Sequence, residues 1–205
     1  MKKYLPKNKT NGLILEGLAG TGKSTLFSML KQWRSASDLI NHSVFIPEEE
    51  TLGELMSELA SSHKNNLNHL RRLDKIMTEI SGSHDKFIFL ERFHHTYYAL
   101  GLDWNLLKMY DQKLAELNFK TILLGIDTVC FPTRSFRRPE FKNSSWEKDL
   151  VSHFGSEVEV IKAFEVSQER RKQALALSSI SSKTINTSHK KWEQYLEFIV
   201  EFITD

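Results

Sequence analysis

The run Gly17-Leu18-Ala19-Gly20-Thr21-Gly22-Lys23-Ser24 has the residue types and the spacing to hold a polyphosphate. Glycines let backbone N–H groups turn inward around β- and γ-phosphate oxygens, and the helix start that follows adds partial positive charge. Lys23 offers a point charge to the same phosphates, the Ser24 hydroxyl is an oxygen ligand for Mg²⁺, and Thr25 adds an α-phosphate contact. The run follows the strand-like Leu13-Ile14-Leu15 and precedes a helix-forming stretch, the context such a loop requires. It implies a nucleoside triphosphate with Mg²⁺, expected to be ATP, and leaves open what the phosphoryl group is used for. A guanine-specific switch would need an Asn-Lys-x-Asp base reader late in the chain. The similar Asn8-Lys9-Thr10-Asn11 precedes the loop and cannot act that way.

A second chemical feature is an acid where a strand ends. Phe87-Ile88-Phe89-Leu90 runs into Glu91-Arg92-Phe93-His94-His95-Thr96-Tyr97-Tyr98-Ala99, so Glu91 is expected at the carboxyl edge of a sheet, where ligands bind in open α/β folds. Taken together, the two segments resemble the thymidylate kinase and deoxynucleoside kinase branch of the phosphate-loop kinases. Glu16 to Thr25 looks like that branch's Glu-Gly-x-x-Gly-[Ser/Ala/Thr]-Gly-Lys-[Ser/Thr]-Thr, and Glu91-Arg92-Phe93-x-x-Thr96-x-x-Ala99 is similar to its Asp-Arg-[Tyr/Phe]-x-x-Ser-x-x-Ala. Pro47 and Leu52-Gly53-Glu54 fall at the offsets of a Pro-Gly-Gly-x-x-Leu-Gly-Glu segment, and Thr184 to Ser188 is similar to the last-strand segment whose following loop contacts adenine. The resemblance implies that Glu91 serves the metal or the acceptor hydroxyl and that Arg92 holds phosphate.

The departures concern the acceptor. The family carries Arg-Glu, or a Glu acting as base, before the second-strand proline, whereas this chain has Phe45-Ile46. It also has Leu100-Gly101 where thymidylate kinases place Tyr-Gln. Glu48, Glu49 and Glu50 could supply a carboxylate from a shifted position, or could merely favour a helix start. Tyr97, Tyr98, Trp104 and Tyr110 could stack an aromatic acceptor, although core packing is the commoner fate of such residues.

Phe131 to Lys148 is basic and aperiodic, with Arg134, Arg137 and Arg138. In kinases of this kind an arginine-bearing lid closes over the phosphates there, because phosphoryl transfer spreads charge over equatorial oxygens. The rival is a basic surface loop. Arg170-Arg171-Lys172, on a helix that Ser167 could cap, reads more readily as a solvated face than as a phosphate contact. His94-His95 does not read as a metal motif, since adjacent helical positions point apart and no third ligand stands at a suitable spacing.

Strand-like runs must position these groups, and they alternate with helical segments as in a parallel sheet with crossover helices. The expected strands are Gly12 to Glu16, Ser43 to Ile46, Lys86 to Leu90, Lys120 to Ile126 and Lys183 to Asn186. The expected helices are Gly22 to Trp33, Leu52 to Ala60, Leu67 to Ser81, His94 to Leu117, Ser167 to Leu177 and Ser188 to Thr204. With 205 residues, 40% of them hydrophobic, one domain over 1–205 is expected, its lid at about 131–148. The 28 Lys and Arg nearly cancel the 26 Asp and Glu, so no whole-molecule field would capture nucleic acid or an anionic membrane. A single cysteine, Cys130, excludes an internal disulfide framework, and no apolar stretch suits a signal peptide or a membrane span, so a cytoplasmic location is expected.

The expected fold is therefore α/β, a three-layer phosphate-loop fold around a five-stranded parallel sheet. The expected activity is Mg²⁺-ATP-dependent transfer of the γ-phosphate to a nucleoside, a nucleoside monophosphate or a similar small acceptor. Lys23, Glu91, Arg92, Arg137 and Arg138 are the expected catalytic groups; Glu48, Glu49 and Tyr97 are acceptor candidates. The alternatives are an ATPase acting on a macromolecular partner and a nucleotide binder without transferase activity. A homodimer is implied by the resemblance only.

Overall fold

A computed structural model describes residues 10–36, 43–52, 66–83, 86–137 and 145–204. Five parallel strands form one sheet: β1 Gly12–Gly17, β2 Ser43–Ile46, β3 Phe87–Glu91, β4 Phe119–Gly125 and β5 Ser181–Asn186, in the order β2-β3-β1-β4-β5. Every residue of β1 is buried, because β3 and β4 flank it in register and helices cover both faces. That is why its sequence is a continuous apolar run. Strand ends differ from the sequence reading by a residue or two, most at β5, whose polar Ser181-Ser182 start, exposed at Ser181 and half-buried at Ser182, suits an edge strand.

Side-chain alternation splits the core between the two faces of the sheet. Ile14, Ile88 and Leu90 face one layer, made by α3 Asn66–Ser81, α4 His94–Ala99 and α5 Trp104–Glu116. Leu13, Leu15 and Phe89 face the other, made by α1 Lys23–Ala36 and α8 Trp192–Thr204. The result is the expected three-layer arrangement. A third cluster, with Leu18, Ile126, Phe131, Phe136, Val160 and Phe164, lies under the segment after β4 and beside α6 Trp146–Phe154 and α7 Glu157–Leu177. One short helix, α2 Glu48–Thr51, follows β2. Beyond it, residues 53–60 of the helix expected at Leu52 to Ala60, Gly53-Glu54 included, lie outside the described residues.

Helices α2 and α6 lie within none of the expected helices, and α6 starts inside the expected lid; three more helices differ from expectation. His94 to Leu117 is not one helix: Gly101, at φ 108°, reverses the chain, and the Asp103 side chain then accepts from Asn105 N at 3.0 Å to start α5. Helix α7 begins ten residues before Ser167, at an N-cap formed by Ser156, whose hydroxyl accepts from Glu159 N at 3.3 Å. Its buried stripe, Val160, Phe164, Gln168, Arg171 and Ala174, has helical spacing but two polar members, which hides it from a hydrophobic reading. Ser167 is thus interior and accepts from Arg171 Nη1 at 2.6 Å rather than capping a helix. The last helix starts at Trp192, after a turn with Lys190 at φ 53°. Among the described residues, no helix is long and apolar enough to cross a membrane.

Ile199 is fully buried between α8 and the sheet. Ile199→Ala should cost about 2–5 kcal/mol. Urea unfolding followed by circular dichroism should show a lower midpoint with an unchanged slope.

Candidate functional site

Strand β1 delivers the phosphate loop at the carboxyl edge of the sheet, and the rest of the chain fixes its shape from outside. A Cβ on Gly20, at φ 81°, would stand 2.0 Å from the Arg134 carbonyl oxygen, and one on Gly22, at φ 91°, 2.3 Å from the Trp192 ring. Only glycine permits both the backbone conformation and the close approach. Ser135 Oγ donates to Ala19 O at 2.8 Å, and Thr187 Oγ1 to Thr21 O at 2.7 Å. Arg134 ties the two braces together: its Nη1 donates to Thr187 O at 2.6 Å and its guanidinium lies over the Trp192 ring. The start of the expected lid, a helical turn at Pro132–Phe136, is therefore packed on the loop, and Arg134 is a brace within it.

Inside the loop, Lys23 is 4% exposed and its Nζ donates to Leu18 O at 3.1 Å. Burial, reinforced by the nearby Arg92, lowers its pKa to about 7, with Glu48 and Glu91 opposing. A phosphate at this point would oppose that lowering. Ser24 Oγ lies 3.3 Å from Glu91 Oε1. Adjacent ligands of an octahedral Mg²⁺ stand about 3 Å apart, so this pair of hard oxygens fits one coordination sphere and leaves its other positions to water and phosphate. Burial raises the Glu91 carboxyl above its usual range and Glu48 adds to the rise, against Lys23, Arg92 and the Ser24 hydrogen bond.

Glu48, on the first turn of α2, joins the two cations. Its Oε1 is 3.1 Å from Arg92 Nη1 and its Oε2 is 3.7 Å from Lys23 Nζ. The turn that carries it is tied down by Thr51, which donates to Glu91 O at 2.7 Å and accepts at its carbonyl from Tyr97 OH at 2.8 Å. Arg92 adopts φ 60°, costly for a non-glycine residue, while its amide donates to Leu15 O at 3.0 Å. Strain of this kind concentrates where a side chain must be aimed.

Two members of the site have roles that the sequence did not assign to them. Glu16 is fully buried; its carboxylate accepts from Phe93 N at 2.8 Å and Thr96 Oγ1 at 2.7 Å, fixing the start of α4. Arg171, read as part of a solvated face, is instead 2% exposed, with Nε 3.9 Å from Glu16 Oε2 and Nη2 3.4 Å from Thr96 Oγ1. Burial lowers its pKa to about 10, helped by the like charge of Arg92 and opposed by Glu16 and Glu48. The signal that could have found it is its position seven residues after Phe164 and three before Ala174 on the α7 stripe.

Other expected residues lie elsewhere. Tyr97 is wholly buried in the core, and Glu49 and Glu50 are exposed beside Glu48. Phe45 stacks on Phe89 at 4.4 Å between centroids, and Ile46 is in the opposite core layer, so both are packing residues. Arg137 pairs with Glu157 at 2.7 Å on the surface; Arg138 lies outside the described residues. His94 and His95 do not point apart: at the first turn of the six-residue α4 both rings approach Asp111 of α5, which supplies the third group that sequence spacing did not offer.

No protein-family model matches the sequence, and a search of curated proteins by sequence finds no match. Solved structures do match. The chain is similar to the YorR protein from Bacillus subtilis, crystallised in complex with phosphorylated GDP, with 14% identity and a TM-score of 0.60 over 94% of this chain and 95% of that one. It is similar to a thymidylate kinase from Ehrlichia chaffeensis, with 15% identity and a TM-score of 0.55 over 94% of this chain and 99% of that one. A thymidylate kinase from Candida albicans matches with 17% identity and a TM-score of 0.56 over 95% and 91% of the two chains. The chain therefore shares the fold of these structures, thymidylate kinases among them, which is the fold that the motifs implied.

Removing one partner of a buried ion pair strands the other charge, at about 3–5 kcal/mol. Arg171→Met should lower stability by that amount. Arg170→Met, which removes a more exposed guanidinium resting on Tyr98, should cost much less in the same thermal-unfolding comparison.

Proposed function

We propose that this protein is a Mg²⁺-ATP-dependent phosphotransferase that moves the γ-phosphate to a small acceptor such as a nucleoside or a nucleoside monophosphate. The observation that carries the proposal is the Glu48 carboxylate seated between Lys23 and Arg92, beside the Ser24–Glu91 pair. An anion thus lies between the lysine of the loop and the arginine beyond β3, which supports a reading in which donor and acceptor phosphates meet there.

In this reading the loop amides from Gly17 to Gly22, with Lys23, hold the β- and γ-phosphates, and Thr25 lies toward the α-phosphate. Ser24 and Glu91 would hold Mg²⁺, which when bound neutralises charge on the bridging phosphate oxygens. An acceptor oxygen attacks the γ-phosphorus as the bond to the ADP oxygen breaks. The acceptor's proton, where it has one, passes to a carboxylate, and Glu48 is the one placed beside Arg92. Arg92 faces the acceptor side and compensates its charge. Arg137 and Arg138 follow the turn packed on the loop and are proposed to close over the transferred group, Arg137 by exchanging Glu157 for phosphate. Catalysis is then positioning and electrostatics, with water excluded by closure.

A coupled assay over nucleosides, nucleoside monophosphates and other small hydroxyl compounds with Mg²⁺-ATP tests this. At least one acceptor should turn over. Lys23→Ala and Glu91→Gln should each lower kcat by about 10²-fold or more while the protein stays folded. Full acceptor phosphorylation by Lys23→Ala would defeat the reading. ATP hydrolysis that needs a macromolecule and no acceptor would favour an ATPase instead. Arg137→Ala should reduce kcat by about tenfold to a hundredfold with nucleotide affinity nearly unchanged, as a group acting mainly in the transition state does.

A further inference from the structure

Behind the phosphate site, where α4, α5 and the turn before β5 meet, lies a cluster that the transfer reaction does not use. We propose that His94, His95 and Asp111 form a second metal site, one that takes Zn²⁺ or a similar transition-metal ion and is separate from the Ser24–Glu91 position. One donor atom from each residue lies within 4.8 Å of the others, and all three residues are buried. His94 Nε2 is 3.0 Å and His95 Nε2 3.8 Å from the same Asp111 Oδ1. Donors about 2.0–2.1 Å from a tetrahedral zinc stand about 3.3 Å from one another, between the two observed separations.

The histidines themselves supply the second observation. Both nitrogens of His95 and Nδ1 of His94 are buried with no hydrogen-bond partner, although such atoms are costly to leave unpaired, and an ion shared with Asp111 would pair one of them, His95 Nε2. His95 Nε2 faces the carboxylate across a gap too long for a hydrogen bond and suited to an ion shared with it. The carboxylate is held from behind, as metal-binding carboxylates commonly are: Ser178 Oγ donates to Oδ1 and Ser179 N donates to Oδ2 at 2.7 Å. Two imidazoles and one carboxylate select zinc and its neighbours rather than Mg²⁺, which prefers an all-oxygen shell. The ion would cross-link α4 to α5 just behind Arg92.

The test uses the full chain, stripped with a chelator and titrated with Zn²⁺ and, separately, Co²⁺. One equivalent should bind, the thermal midpoint should rise, and Co²⁺ should give the visible absorption of a low-coordinate site. His95→Gln should lose all three responses, and His153→Gln, on α6, should keep them. His95 makes no hydrogen bond through either ring nitrogen, so its substitution breaks none; it does remove the 3.9 Å approach of Nδ1 to Glu16 Oε1 and the ring contacts with His94 and Trp104, and the comparison is therefore made on protein shown to be folded. Absence of a Zn²⁺ response in the wild type, or a response that survives in folded His95→Gln, overturns the proposal. Asp111→Asn is the second variant: loss of Co²⁺ absorption in a folded protein supports the site, and retention overturns it.

Discussion

Charge compensation at the carboxyl edge of the sheet is the constraint on which the rest of the structure turns. Lys23, Arg92 and Arg171 are almost fully withdrawn from water, and Glu16, Glu48 and Glu91 stand among them. Groups of this kind are tolerated in an interior only when paired and hydrogen-bonded. Each therefore has to arrive from a different element at one place: Glu16 from the end of β1, Lys23 from the loop, Glu48 from α2, Glu91 and Arg92 from the end of β3, and Arg171 from the middle of α7. A parallel sheet brings its strand ends to one edge, and this is why the architecture suits the cluster. Local costs such as the left-handed Arg92 follow from the need to aim a specific side chain inward.

The same cluster implies how an anionic ligand would enter. Glu48 is the least buried of the six charges and the only one that touches both Lys23 and Arg92. Both of its oxygens face cations, Oε1 toward Arg92 and Oε2 toward Lys23, so an anionic ligand reaching either cation would meet a site already compensated rather than naked. The short α2 turn that carries Glu48 is anchored through Thr51 to the main chain of Glu91, so movement at one carboxylate is mechanically tied to the other.

Much of this was legible in the sequence because it rests on local rules. Gly17 to Ser24 names its own loop, the apolar runs name the strands, and Glu91-Arg92 falls at a strand end. The losses have physical reasons as well. Helix α7 was read short because Gln168 and Arg171 interrupt its buried stripe, and a buried arginine is invisible to hydrophobic periodicity when its partner, Glu16, lies far away in the chain. Gly101 ended a helix through its backbone conformation, which composition alone underweighted. The meeting of His94 and His95 with Asp111 depends on how two helices pack after that break, a tertiary fact with no sequence spacing of its own.

The outer brace of the phosphate loop has a consequence for how the molecule is made. The contact from Thr187 to Thr21 and the Trp192 ring against Gly22 join the loop to residues synthesised long after it, 166 positions on in the case of Thr187. Loop-closure entropy makes such long-range contacts slow to form. During translation, β1, β3 and β4 can pair while the loop is still open on its outer side. The phosphate loop takes its final shape only when the segment after β5 folds back, so a chain lacking that segment would own the signature sequence without the conformation that goes with it.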